Sequence, residues 1–287
     1  MTEINVKQFD SPDEIAWCPG CGDFSILAAL KQALAELGLK PHEVLVASGI
    51  GQAGKTPYYI NANNYNGLHG RGLSGAVAAK MANKNLVVTH HSGDGDSYGE
   101  GGNHLIHNIR RNIDITQFVH DNQIYGLTKG QGSPTTDRGH KTHLKKEGMT
   151  NDPLNPMALA ISLGCSFVAR SFSGDKEHLV SIMKEAITHK GYALVDIFQP
   201  CVSFNHVNTF AWYKQRVYKL DENYDPTNKV AAFEKALEWG EKIPIGVLYK
   251  EEKPTFIERI PHLQEGPALV DRQWAPKDAE KFMEDFR

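Results

Sequence analysis

The sequence predicts an α/β protein built around a doubly wound, mainly parallel sheet. Two observations predict this fold class. From residue 22 to residue 198, short apolar runs of strand length alternate with segments whose apolar residues recur every three or four positions. Polar and glycine-rich segments follow several of the apolar runs, as is typical of strands that end at one edge of a sheet. Such alternation indicates parallel strands that are covered by helices on both faces.

Each element is predicted from its periodicity and from the residues that end it. In the first helix, Phe24, Leu27, Leu30 and Leu34 recur at helical spacing, and Gly38 ends the pattern. We predict helices over residues 22–37, 72–82, 104–111, 157–163 and 178–189, and strands over residues 44–47, 86–90, 115–119, 167–170 and 193–198.

The alternation stops after residue 200, and this change predicts the domain organisation. We expect residues 1–204 to form the α/β domain and residues 205–287, with one helix over 228–240 and many prolines, to form a C-terminal extension that wraps around the domain and a partner. Residues 130–155 are polar and lack periodicity, which indicates a functional loop or a partner contact.

Composition excludes several classes of protein. The 287 residues carry a net charge of −3, which argues against a nucleic-acid-binding surface. Residues 1–10 lack the pattern of a secretory signal, and no apolar run approaches a membrane span, so we expect a cytoplasmic protein. In a reducing compartment, the pair Cys18 and Cys21 indicates a metal or redox site rather than a disulfide.

Polar side chains follow two neighbouring strands of the predicted sheet. The segment Gly93-Asp94-Gly95-Asp96 follows one strand, and Asp121-Asn122 follows the next. We expect both to face the same edge of the sheet, where Asp94 and Asn122 would offer the oxygen ligands that Mg²⁺ prefers. Glycines 93 and 95 would let the backbone approach a diphosphate closely. Taken alone, Gly-Asp-Gly also suits a tight turn, and Asp121 also suits a turn cap.

The spacing of these segments resembles the thiamine diphosphate motif, in which Gly-Asp-Gly is followed by Asn-Asn or Asp-Asn. Here the two elements are separated by 27 to 28 residues. The resemblance implies Asp94, Asn122 and the backbone carbonyl of Ile124 as Mg²⁺ ligands. It implies a sheet of the thiamine-diphosphate-binding type, with the cofactor bound by Gly93, Asp94, Gly95, Asp96, Asn122, Ile124, Gly126, Leu127 and Thr128.

Further segments resemble one family more closely. They are residues 17–22 (WCPGCG), 69–71 (HGR), 102–112 (GNHLIHNIRRN), 121–131 (DNQIYGLTKGQ), 133–135 (SPT) and 199–205 (QPCVSFN). Together they resemble the β subunits of two-subunit 2-oxoacid:ferredoxin oxidoreductases over roughly residues 15–240. The form of residues 121–131 is most similar to the subfamily that acts on 2-oxoglutarate.

The resemblance implies that Cys18, Cys21 and Cys201 are thiolate ligands of a [4Fe–4S] cluster, since soft thiolates suit iron–sulfur clusters. Gln52 stands where most members carry a fourth cysteine, so the fourth ligand stays open: a nearby His or Asp, water, or none. A thioredoxin-like pair would need a preceding strand that residues 1–16 do not supply. A zinc site completed by His69 or His206 is an alternative. We expect Cys165 to be a small buried residue.

Three residues are predicted to act on the substrate. The match of residues 69–71 implies that His69 lies beside the cofactor. Lys129 and Lys55 are candidates for holding the substrate's carboxylates as point charges. Surface lysines are usually solvated, so the hypothesis for both rests on the resemblance.

The resemblance implies thiamine-dependent oxidative decarboxylation of a 2-oxoacid, with coenzyme A as acyl acceptor and electrons passing through the cluster to ferredoxin, or the reverse carboxylation. The preferred substrate is 2-oxoglutarate, followed by pyruvate. The catalytic glutamate and the pyrimidine-binding domain are expected on a separate α subunit, in an (αβ)2 assembly. Two alternatives remain open: a non-oxidative thiamine-dependent decarboxylase or acetolactate-synthase-like enzyme, and a non-catalytic zinc-binding scaffold.

Overall fold

The computed structural model describes residues 5–273, 275–284 and 286. The strands are β1 (Val44–Ser48), β2 (Asn63–Asn66), β3 (Val87–Gly93), β4 (Thr116–Asp121), β5 (Ile124–Tyr125), β6 (Gln131–Gly132), β7 (Phe167–Phe172), β8 (Ala193–Phe198), β9 (Val217–Lys219) and β10 (Ile243–Lys250). The helices are α1 (Asp23–Glu36), α2 (Gly72–Ala82), α3 (Gly102–Arg111), α4 (Pro156–Ser162), α5 (Lys176–Thr188), α6 (Phe210–Lys214), α7 (Lys229–Leu237), α8 (Pro261–Gln264) and α9 (Pro276–Glu284).

Within the described residues, eight strands form one sheet in the order β2-β1-β3-β4-β8-β7-β10-β9. The strands from β2 to β7 in this order are parallel, and β10 runs antiparallel to β7. β5 and β6 form a separate antiparallel hairpin. The predicted fold class, a doubly wound and mainly parallel sheet, is confirmed.

Helices cover both faces of this sheet. Alternate residues of β1 contribute to two different cores: Val44 and Val46 pack with α1 and α5, whereas Leu45 and Ala47 pack with the helices of the opposite face. All five residues of β1 are buried. This two-sided burial explains why the central strands are continuous apolar runs rather than alternating ones.

The C-terminal segment differs from its prediction. The sequence predicts one helix in residues 205–287, but their described part contains four, α6 to α9, of which α7 is the helix predicted over 228–240. It also contributes β9 and β10 to the main sheet. Pro244 and Gly246 interrupt β10, and its pairing with β7 shifts at a bulge, so its apolar pattern is broken. The domain boundary after residue 204 stays a prediction.

Strand β2 of the main sheet is also not predicted, because it carries no hydrophobic pattern. Its four residues are exposed, and it pairs with β1 at the edge of the sheet. Across the described ranges of the chain, no helix combines the length and the apolar character that crossing a membrane requires.

Candidate functional site

The site begins where β3 and β4 end side by side. The two strands are paired up to Gly93 and His120, so the residues that follow them emerge at the same edge of the sheet. Asp94 follows β3 directly, and Asn122 follows β4. The predicted proximity of the two polar segments is therefore borne out by the topology.

The backbone after β3 makes a π-helical turn, Gly95–Glu100, before α3 begins. Turns of this kind occur frequently at functional sites. A side chain at Gly95 would place its Cβ only 2.2 Å from the ring of Tyr125, so only glycine allows this close approach. The turn buries Asp94 and Asp96 at 1% and 3% exposure.

Two buried carboxylates share a single hydroxyl. Oγ1 of Thr135 lies 2.7 Å from Oδ2 of Asp94 and 2.8 Å from Oδ1 of Asp121. A hydroxyl donates only one proton, so it can satisfy only one of the two carboxylates. Burial raises the pKa of Asp94, and burial together with the charges of Asp196 and Asp94 raises the pKa of Asp121 well above its ordinary value. Such a pair favours a bound cation.

A further buried acid lies behind this pair and was missed from the sequence. Asp196 accepts a hydrogen bond from the hydroxyl of Tyr98 at 2.7 Å and faces Arg170 with Nε and Oδ2 3.9 Å apart. Burial raises the pKa of Asp196 to about 6, although the charge of Arg170 acts against it. The sequence does carry a signal for this pair, since Arg170 lies in β7 and Asp196 in β8, both strands of predicted core length. Charged residues inside buried strands need partners.

Asn122 is held by hydrogen bonds at both ends of its amide. Oδ1 accepts from the backbone N–H of Ile124 at 3.0 Å, and Nδ2 donates to Oε1 of Gln199 at 2.8 Å. Nδ2 of Asn205 donates to the Asn122 carbonyl at 3.1 Å. The amide oxygen keeps a second lone pair, so it can still bind a cation.

The loop over residues 130–155 folds against the site. Nε2 of Gln123 donates to the carbonyl of Thr135 at 2.7 Å, and the hydroxyl of Thr136 donates to the carbonyl of Gln123 at 2.6 Å. Gln123 itself has a left-handed backbone, with φ of 59°. This loop therefore supplies Thr135, which sequence reasoning missed, to the buried carboxylates.

Asp96 and His69 form a second polar group in the same cavity. Nδ1 of His69 lies 2.5 Å from Oδ1 of Asp96, and Nε2 of His69 lies 3.7 Å from Oε2 of Glu100. The hydroxyl of Tyr125 also donates to the Glu100 carboxylate at 3.2 Å. Glu100 and Tyr125 were not predicted, although Tyr125 lies in a segment that carries the family resemblance and Glu100 lies just before another.

The cysteines of the N-terminal motif form a tight turn, in which the N–H of Cys21 donates to the carbonyl of Cys18 at 3.0 Å. Burial raises the pKa of the Cys21 thiol, and the nearby Asp23 and Cys201 raise it further. Among the described residues, no three His, Cys, Asp or Glu side chains are grouped closely enough to hold a metal ion. Cys165 is fully buried elsewhere, as predicted.

Gln52 lies with the predicted cavity residues, whereas the two predicted lysines lie apart from them. Gln52 lines the same cavity as the cysteine turn, and its Oε1 is buried without a hydrogen-bond partner. Lys55 is half-buried and Lys129 is exposed, and neither lines the cavity. The backbone of Lys129 is left-handed, with φ of 80°.

One cavity brings most of the predicted residues together. It is lined by Trp17, Cys18, Cys21, Asp23, Ile50, Gly51, Gln52, Ala53, His69, Gly93, Asp94, Gly95, Asp96, Asn122, Ile124, Tyr125, Gly126, Leu127, Thr128, Gln199, Cys201, Val202, Ser203 and Phe204. The candidate oxygen ligands and the three cysteines of the motif segments thus line the same cavity.

Two protein families match this chain. Residues 42–197 match the family described as "Thiamine pyrophosphate enzyme, C-terminal TPP binding domain", and residues 201–265 match the C-terminal family of the pyruvate ferredoxin oxidoreductase β subunit. The first match spans the region from β1 to β8, which contains the polar strand ends.

Curated relatives and a solved structure are also similar. A 2-oxoacid:ferredoxin oxidoreductase β subunit of Aeropyrum pernix is 48% identical over 85% of this chain and 80% of its own length. A β subunit of the same description from a Sulfolobus species is 45% identical over 92% and 91%. A 2-oxoglutarate:ferredoxin oxidoreductase structure from Magnetococcus marinus, with 2-oxoglutarate, coenzyme A and succinyl-CoA bound, has a TM-score of 0.92 at 33% identity, over 100% of this chain and 97% of that one.

Proposed function

Since the chain belongs to the family of 2-oxoacid:ferredoxin oxidoreductase β subunits, we propose that it binds thiamine diphosphate and Mg²⁺ in the cavity at the ends of β3 and β4. The observation that carries this proposal is the convergence of Asp94, Asn122 and the loop over residues 124–128 on one cavity. The family matches and the similar β subunits confirm the family that was predicted from the sequence.

The donor set fits Mg²⁺. Asp94 offers a carboxylate oxygen, Asn122 an amide oxygen and Ile124 a backbone carbonyl, all hard ligands that suit octahedral coordination completed by diphosphate oxygens. The pKa of Asp94 is raised because its charge is desolvated, and a bound cation would offset that cost. The hydroxyl of Thr135, which also contacts Asp121, holds the Asp94 side chain in place.

The cofactor supplies an electron sink for decarboxylation when it is bound, and the chain's own residues bind and orient it. Gly93 and Gly95 line the cavity, where they are proposed to approach its phosphate oxygens, and Asp96 anchors the turn by accepting hydrogen bonds from the N–H groups of Ile50 and Gly70. His69 lines the cavity and is held by Asp96, and with its Nε2 near Glu100 it is proposed to hold a proton close to the substrate.

We further propose that Cys18, Cys21 and Cys201 hold a [4Fe–4S] cluster. All three cysteines line one cavity, and thiolates are the ligands that such clusters prefer. Each thiolate of a [4Fe–4S] cluster binds a different iron, so the three sulfurs do not have to converge on one ion as the ligands of a single metal do. Gln52, whose Oε1 has no hydrogen-bond partner, lines the same cavity and would leave the fourth iron without a protein thiolate. Electrons from the decarboxylation would leave through this cluster to ferredoxin.

The proposed substrate is 2-oxoglutarate, with coenzyme A as acyl acceptor. Several similar proteins are named for 2-oxoglutarate, among them a Mycobacterium tuberculosis subunit that is 42% identical over 69% of this chain and 53% of its own length. Lys129 and Lys55 are proposed to attract the substrate's carboxylates as point charges from outside the cavity lining. A partner α subunit would carry the pyrimidine-binding domain and complete an (αβ)2 enzyme.

Anaerobic purification together with co-purifying subunits tests this proposal. Metal and cofactor analysis should find iron, sulfide, Mg²⁺ and thiamine diphosphate, and 2-oxoglutarate should reduce ferredoxin only when coenzyme A is present. Zinc without iron would favour a scaffold, and decarboxylation without an electron acceptor would favour a non-oxidative enzyme. Either outcome would overturn the proposal.

A further inference from the structure

The side chain of Gln199 lies between the two halves of the cavity. Its Nε2 lies 3.2 Å from Sγ of Cys21, and its Oε1 lies 2.8 Å from Nδ2 of Asn122. Gln199 follows β8 directly and is 1% exposed. One buried amide therefore touches both the cysteine turn and the polar end of β4.

The orientation of this amide follows from its neighbours. The backbone N–H of Ile124 can only donate, so the atom of Asn122 that it contacts at 3.0 Å is the amide oxygen. The opposite end of the Asn122 amide is then the NH2 group, which must meet the oxygen of Gln199. The NH2 group of Gln199 is consequently the end that faces the sulfur of Cys21.

Packing holds the amide in this position. The backbone N–H of Gln199 donates to the carbonyl of Asp121 at 2.8 Å. On the other side, a Cβ at Gly22 would lie 2.9 Å from Cγ of Gln199, so glycine is required there for the cysteine turn to approach so closely. The contact between Gln199 and Cys21 thus depends on local structure on both sides.

We propose that Gln199 is a positioning residue that links the thiamine diphosphate site to the iron–sulfur cluster, through an N–H···S hydrogen bond to Cys21 and a hydrogen bond from Asn122. This inference rests on the proposed function. A hydrogen bond to a cluster sulfur stabilises the more negatively charged, reduced cluster and so raises its reduction potential. At its other end, Gln199 holds Asn122 in the orientation that presents its oxygen to Mg²⁺.

The variant Gln199→Met tests both hydrogen bonds of the Gln199 amide, because methionine fills similar space without an amide donor or acceptor. We expect the midpoint potential of the cluster, from a redox titration monitored by electron paramagnetic resonance, to become more negative than in the wild type. In the same variant, calorimetry should give an affinity for Mg²⁺–thiamine diphosphate that is about fivefold weaker, the effect of one neutral hydrogen bond. Gln117→Met, a buried amide that bonds to Ser97 and Tyr192 instead, is the matched control and should change neither quantity.

A second measurement keeps Gln199 in place, so it can be made even if Gln199→Met does not fold. The Gln52→Leu variant removes the second glutamine that lines the cavity. With ¹⁵N in its glutamine side chains, this protein should show a hyperfine coupling between an amide nitrogen and the reduced cluster. A cluster without that coupling would refute the proposed hydrogen bond between Gln199 and Cys21.

The outcomes separate the inference from the proposed function. A wild-type protein that contains no iron would refute the proposed cluster itself. A protein with a cluster whose potential is the same in the wild type and in Gln199→Met would refute only the role of Gln199. A potential that shifts equally in Gln117→Met would also refute that role, since the effect would then be general.

Discussion

Nδ1 of His69 lies 2.5 Å from Oδ1 of Asp96, and the same oxygen accepts hydrogen bonds from two backbone N–H groups. The N–H of Ile50 donates to it at 2.9 Å and the N–H of Gly70 at 2.7 Å. The loops after β1, before α2 and after β3 therefore meet on one buried carboxylate. Asp96 is predicted to bind the cofactor, and its position indicates that it also joins these three loops.

Asp96→Ala should lower the free energy of unfolding by about 3 kcal/mol, because it leaves several buried hydrogen-bond donors without their charged acceptor. Denaturant unfolding of the chain measures this change. Asp152→Ala is the control, since Asp152 is an exposed acid that pairs with Arg138, and it should cost less than about 0.5 kcal/mol. Equal losses in the two variants would contradict the role assigned to Asp96.

Asp94→Ala and Asn122→Ala should abolish binding of Mg²⁺–thiamine diphosphate while the fold is retained. In the wild type, cofactor at a hundred times its dissociation constant should stabilise the chain by about 2.7 kcal/mol, and this increment should vanish in both variants. Thermal unfolding with and without cofactor measures it. Asn64→Ala, on the exposed strand β2, should keep the full increment. An unchanged affinity in either site variant would refute the Mg²⁺ assignment.

The buried acids predict how stability depends on pH when no divalent cation is bound. Burial raises the pKa values of Asp94 and Asp121, and it raises that of Asp196 to about 6, all above the values expected in the unfolded chain. Folding therefore favours the protonated acids. Their contribution to stability is complete below the unfolded pKa near 3.8 and is lost as pH rises through the folded values.

The measurement compares the wild type with Asp94→Asn between pH 4 and pH 7, in the presence of a chelator. The variant should gain stability relative to the wild type as pH rises, because its amide cannot ionise. Mg²⁺ with thiamine diphosphate should remove this difference or reverse its sign near neutral pH, since the ionised acid then binds a cation. A difference that is independent of pH would mean that Asp94 is already ionised without cost.

Lys129→Ala should raise KM for 2-oxoglutarate more than KM for pyruvate. Lys129 is proposed to attract the distal carboxylate as a point charge from outside the cavity lining, an attraction worth about 0.2–1 kcal/mol for an exposed charge, and pyruvate lacks that group. Steady-state kinetics with both substrates measures the ratio. Lys146→Ala, an exposed lysine of the loop over residues 130–155, should leave it unchanged. An equal loss on both substrates would indicate a structural role or a role in binding the cofactor.

Air exposure should convert the proposed cluster into a three-iron form before it is lost, because the iron nearest Gln52 would have no protein thiolate. Gln52→Cys should slow this conversion, and Cys165→Ser should leave the spectrum unchanged because Cys165 lies in the core. Electron paramagnetic resonance during timed oxidation follows the change. A cluster destroyed by Cys165→Ser would show that the ligand set is wrong.

The fold and much of the site can be predicted from the sequence because both depend on local patterns. Apolar runs mark the central strands, and the ends of parallel strands share one edge of the sheet, so the proximity of Asp94 and Asn122 follows from their positions in the chain. β10 is not predicted because Pro244 and Gly246 interrupt its pattern, and β2 is not predicted because it buries nothing. The contact between Gln199 and Cys21 joins residues far apart in sequence, and no local spacing encodes it.

The exposed strand β2 has a consequence for how the protein behaves at high concentration. An open sheet edge can recruit the edge of another molecule and start aggregation. β2 is four residues long, and three of these are asparagines. Two turn their amides back onto their own protein: Asn63 donates to the carbonyl of Val44 at 3.0 Å, and Asn66 donates to the hydroxyl of Ser48 at 2.8 Å. A short polar strand of this kind offers a poor template for intermolecular pairing, so the sheet can end there without a covering helix.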